Sequence, residues 1–72
     1  MADEESIRID DDLLAWKEPG RDAWEIRASD AVVGRVVETA SGFQALILAD
    51  DDYVSVGTFI SLETAARALR QV

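Results

Sequence analysis

The chain of 72 residues contains no cysteine and no histidine. Without cysteine there are no disulfides and no thiolate-bound zinc, so packing alone must hold the fold. Without histidine the commonest general base is missing, and the two absences together remove the thiol nucleophile and the usual zinc ligands. The four glycines are isolated from one another and form no phosphate-cradling loop. Ser6, Ser29, Ser41, Ser55 and Ser61 have no histidine to activate them. No run of about 18 apolar residues occurs, and Met1-Ala2-Asp3-Glu4-Glu5 offers neither a basic region nor an apolar stretch after it. These absences lead us to expect a cytoplasmic, non-enzymatic protein with no cofactor, no bound metal and no membrane span.

What is present is charge of one sign. Residues 1–30 carry ten acidic against four basic side chains, a balance of −6, and the remaining residues add five against three, or −2, to reach −8. Such a field repels nucleic-acid phosphates and anionic lipid, keeps the chain soluble, and favours partners with a basic surface. A chain this short buries only about 60% of the surface its unfolded form exposes, which leaves little core to shape a deep catalytic cavity.

Residues 1–6 are acidic and without periodicity, and read as a disordered tail; residues 7–72 read as one domain. Ile7 and Ile9 alternate with Ser6, Arg8 and Asp10, the pattern of a short edge strand. Leu13-Leu14-Ala15-Trp16 and Ala23-Trp24-Glu25-Ile26-Arg27-Ala28 flank Glu18-Pro19-Gly20-Arg21-Asp22. Pro-Gly supplies a fixed φ at one turn position and a positive φ at the next, which predicts a hairpin. Ser29-Asp30 turns the chain into residues 32–38, whose β-branched valines favour a strand, and Thr39-Ala40-Ser41-Gly42 ends it. Residues 43–49, nearly all apolar, predict a central strand or one covered on both faces. Asp50-Asp51-Asp52 makes the next turn, and residues 53–59 the last strand.

Ser61 is placed to cap a helix in which Leu62, Ala65, Ala66 and Leu69 fall at i, i+3, i+4 and i+7, one buried stripe, with Glu63 in the first turn. The fold class is therefore α+β: an antiparallel meander of about four to five strands with one C-terminal helix packed on a face. Val33-Gly34-Arg35-Val36 and Val56-Gly57-Thr58-Phe59 occupy like positions, as if two hairpins repeated one plan. A glycine inside a strand marks a bulge or a close approach to the backbone, here by the helix.

Two runs of aspartate, Asp10 to Asp12 and Asp50 to Asp52, invite a metal reading. Adjacent aspartates splay apart, and neither run has the alternation or the turn glycine of a cation loop, so both read as solvated turns. Trp24 shares its face with Ile26 and Ala28 and reads as core; Trp16, beside Lys17 near a turn, suits either the core or a contact surface.

Val56-Gly57-Thr58-Phe59 followed by Ser61-Leu62-Glu63-Thr64-Ala65-Ala66-Arg67-Ala68, with Trp24-Glu25-Ile26-Arg27 upstream, resembles the DNA-binding domain of plant ethylene-response factors and the related arm-binding domain of phage integrases. The resemblance spans residues 14–70, with an extra hairpin's worth of chain between Ala28 and Asp50. It implies strands packed on one helix, with arginines and tryptophans of the exposed sheet face contacting DNA. Arg27 matches the family's strand arginine and Trp24 or Trp16 its tryptophan, whereas Arg35 has no counterpart. The charge departs from the family, since a domain at −8 lacks the basic stripe that phosphate contacts require.

Three functions follow in order. The first is a small protein-interaction module that binds a basic partner through an exposed sheet face or edge, with Trp16, Arg27, Arg35, Asp50, Asp51 and Asp52 as the contact residues. The second is an acidic nucleic-acid mimic, of the kind a phage or mobile element encodes, that inhibits a DNA-handling protein through Asp10 to Asp12, Glu18, Asp22 and Asp50 to Asp52. The third is a divergent DNA-binding domain reading through Arg27 and Arg35. Self-association as a homodimer through a strand edge is the further expectation.

Overall fold

A computed structural model describes residues 6–29 and 31–70. Six strands, β1 (Ser6–Asp10), β2 (Leu13–Lys17), β3 (Ala23–Ala28), β4 (Ala31–Thr39), β5 (Gly42–Ala49) and β6 (Asp52–Phe59), precede one helix, α1 (Leu62–Arg70). The strands form a single antiparallel sheet in chain order. The α+β class holds, but the sheet has six strands rather than four to five. The difference is at the start, where Asp11 and Asp12 close a short turn and let β1 pair with β2 from Ser6↔Trp16 to Asp10↔Leu13. Of the expected tail, Ser6 opens β1 and residues 1–5 lie outside the described residues.

Local chemistry accounts for the turns. Between β2 and β3, Gly20 has φ 71° and the Arg21 amide donates to the Glu18 carbonyl at 3.2 Å, a type II turn with Pro19 at its second position. Between β5 and β6, Asp50 and Asp51 both have positive φ, 51° and 68°, the signature of a two-residue turn whose twist matches the flanking strands. Aspartate tolerates this conformation because its short polar side chain bonds locally.

One face of the sheet is covered by the helix. Strand pairing aligns Ala15, Ile26, Gly34 and Ile47 in one row and Trp24, Val36, Ala45 and Gly57 in the next. On these rows the helix buries Ala65, Ala66 and Leu69, with Leu62 packed beside them, the stripe expected from its spacing. Two alanines in that stripe bring the helix axis close to the sheet. Gly34 completes the fit: a Cβ there would run into the Leu46 carbonyl and crowd Leu69 Cδ1 at 3.1 Å. Ser61 caps the helix, its Oγ accepting from the Thr64 amide at 3.2 Å. Trp24 lies against the core with its ring 5.8 Å from Phe43.

Three register shifts shape the sheet, and each inserts one aliphatic residue: Ile9 in β1, Val33 in β4 and Val56 in β6. All three pack with the core. The repeated Val-Gly pair thus corresponds to two bulges, which bend the strands and increase their twist. The bending has a visible result. A nine-residue helix is about 13 Å long, whereas β1 and β6 of a flat sheet would lie about 24 Å apart. The helix nonetheless touches β1 and β2 as well as β4, β5 and β6, so the sheet curls around it.

Candidate interaction face

The other face of the sheet has no element over it among the described residues. Pairing lines up Ser6, Trp16, Glu25, Arg35, Leu46 and Ser55 in one row that crosses all six strands of this face. A second row brings Arg8, Leu14, Arg27 and Val32 alongside. Trp16, Arg27 and Arg35, picked out separately in the sequence, therefore share one surface. Leu14, Trp16, Val32, Leu46 and Leu48 are each half-buried there, and Tyr53 is 44% exposed. The apolar run of residues 43–49 is an interior strand covered on one face only; its Gln44, Leu46 and Leu48 belong to the uncovered side.

Two arginines of this face, Arg27 and Arg35, are held in place. The Arg27 guanidinium lies 5.6 Å from the Trp16 ring centroid, and its Nη2 reaches Glu25 Oε1 at 2.9 Å. Arg35 lies 5.7 Å from the Tyr53 ring centroid and donates through Nη2 and Nε to the two carboxylate oxygens of Glu18, at 2.7 and 3.0 Å. Each arginine is thus stacked on an aromatic ring and neutralised by a glutamate. Both devices restrict long side chains that in water would occupy many rotamers. Sequence reasoning did not single out Tyr53 as a contact residue. Its pairing with Leu48 puts it on the same face as Arg35, but that assignment needs the bulge at Val56, which reverses the alternation of residues 53–59.

The aspartate runs lie at the margin. Alternate turns of an antiparallel meander fall at the same end of the sheet, so Asp10 to Asp12 and Asp50 to Asp52 share one end although they are 40 positions apart in sequence. Their surroundings differ. Asp10 faces Arg67 and Arg70 at 3.4 and 3.7 Å, and Asp12 faces Arg70 at 3.1 Å, which ties the first turn to the end of the helix. Asp50, Asp51 and Asp52 are exposed, and the strand they open leads directly to Tyr53. A cleft of about 320 Å³ between β6 and the helix is lined by Phe59, Thr64, Arg67 and Ala68, none of them among the expected contact residues. Among the described residues no helix is long and apolar enough to cross a membrane.

Comparison with protein-family models, with curated proteins and with solved structures found no match to this chain.

Proposed function

We propose that this chain is a non-enzymatic protein-interaction module whose contact surface is the helix-free face of the sheet. The observation that carries the reading is the pair of stacked arginines, Arg27 on Trp16 and Arg35 on Tyr53, among half-buried leucines. Tryptophan, tyrosine and arginine dominate the energetic centres of protein interfaces, and side chains already held in place lose less entropy on binding. The exposed Asp50-Asp51-Asp52 turn gives this face an acidic margin, which suits a partner with an apolar centre and basic residues beside it.

The same pairs weigh against the DNA-binding alternative implied by the family resemblance. Arg27 and Arg35 are each engaged by a glutamate, so a phosphate would have to displace a carboxylate at each position. For a nucleic-acid mimic, Asp10 and Asp12 are engaged by Arg67 and Arg70, which leaves the Asp50 to Asp52 turn as its more open group of carboxylates.

The test is capture of partners from lysate of the source organism by the wild type and by Trp16→Ala, Arg27→Ala and Glu63→Gln chains. A partner retained by the wild type and Glu63→Gln, and lost with Trp16→Ala and Arg27→Ala, is the expected result. Equal capture by all four removes this face from the interface. Electrophoretic shift of mixed duplex DNA at about 0.15 M salt addresses the DNA-binding reading, which requires a shifted band there.

A further inference from the structure

The two edges of the sheet are built differently. Among the described residues β1 carries the exposed Arg8 beside Ile7, ends on the part-buried Asp10 that pairs with the helix arginines, and is bent by the inserted Ile9. Charge and bulges are devices by which proteins protect a row of unpaired backbone groups from pairing with another chain. β6 is eight residues long, and from Tyr53 within it to Leu62 at the start of the helix ten successive positions carry no charge, in a chain of net charge −8. Among the described residues four large apolar side chains stand exposed, and three of them, Tyr53 (44%), Val54 (52%) and Ile60 (93%), lie on β6 or directly after it. The bulge at Val56 bends this edge but places no charge or proline on it.

We infer that β6 pairs with β6 of a second copy of this chain, antiparallel, to join two sheets into one across a twofold axis. The occupant follows from charge and symmetry. Parallel pairing would set the two Asp50-Asp51-Asp52 turns about 5 Å apart, side by side. Antiparallel pairing separates them by about 26 Å, the length of the strand, which exceeds the Debye length of about 8 Å at physiological salt. It also brings each acidic turn towards the N-terminal end of the partner's helix, the positive end of the helix dipole. Because β1 is the guarded edge, like pairs with like, and the assembly closes at two copies instead of growing as a filament of β1-to-β6 contacts. This pairing uses the backbone edge of β6, meets the helix-free face only at Tyr53, and does not rest on the function proposed for that face.

Sedimentation velocity on the purified chain over a wide concentration range, with hydrogen exchange read at the β6 amides, tests the inference. The expected result is a monomer–dimer equilibrium that tightens as salt is raised, because the two acidic chains repel less, with β6 amides protected in the dimer. Val54→Lys and Thr58→Lys, both at exposed positions, should each raise the dissociation constant about tenfold or more while circular dichroism shows an unchanged fold. Trp16→Ala should leave the dimer intact. A chain that stays monomeric up to about 1 mM, or a dimer indifferent to both lysines, overturns the proposal. So does growth beyond the dimer, which would show that β1 is not guarded.

Discussion

Arg35 and Glu18, 17 positions apart in the chain, meet through two parallel hydrogen bonds of 2.7 and 3.0 Å across the first residues of β3. Each side chain is 24% exposed. The pair fastens the loop after β2 to the middle of β4, and in doing so turns the Arg35 guanidinium towards Tyr53. A local turn and a distant strand are thereby linked to the geometry of the candidate interaction face.

For that pair, a double-mutant cycle of Glu18→Gln and Arg35→Gln should give a coupling energy of about 1 kcal/mol. Its two-point geometry lifts it above the usual surface pair, and residual exposure keeps it well below a buried one. Urea unfolding of the four chains measures it. A coupling near zero would mean that the contact does not order the loop.

Gly34→Ala should cost about 1–3 kcal/mol, because the new methyl meets a backbone carbonyl that can yield only by moving β5. In a domain of this size each kcal/mol lowers the melting temperature by about 4–8 °C, which thermal circular dichroism resolves readily.

Leu69 is 2% exposed at the centre of the helix stripe. Leu69→Ala should cost about 2–5 kcal/mol through the cavity it leaves, and Leu69→Asp should prevent folding by placing an unpaired charge there. A Leu69→Asp chain that melts like the wild type would show that the helix is not docked on the sheet.

Replacing Asp50-Asp51 with Asn-Gly should stabilise the domain by about 1 kcal/mol, since both positions hold positive φ and Asn-Gly is the preferred pair for this turn. The gain should appear in urea unfolding. The same change should weaken capture of a basic partner at low salt, and that loss should shrink as salt rises.

Ser61→Ala removes the oxygen that accepts from the Thr64 amide and should cost about 1 kcal/mol by urea unfolding. The smaller effect expected here than at Leu69 separates a cap from a packing residue.

Much of this architecture is written in short-range chemistry. Pro19-Gly20 requires its turn, Ser61 with the spacing of Leu62, Ala65, Ala66 and Leu69 requires a capped helix with one apolar stripe, and Val-Gly at residues 33–34 and 56–57 marks two interruptions of strand pairing. Each depends on a few neighbouring residues, whose conformational preferences act before any distant contact forms. The number of strands was less accessible, because β1 gains its partner only once Asp11 and Asp12 have closed a turn against β2.

Residue order alone determined the α+β class, the capped C-terminal helix with its apolar stripe, the acidic balance and the lack of groups for histidine or thiol chemistry. Tertiary structure alone decided which side chains meet: that Trp16, Glu25 and Arg35 form one row, that Tyr53 lies under Arg35, and that the two aspartate runs share an end of the sheet. Those juxtapositions depend on strand register, and register is set by bulges and by how the sheet curls to cover a short helix. A one-residue shift there would exchange the faces of a strand without altering any local propensity.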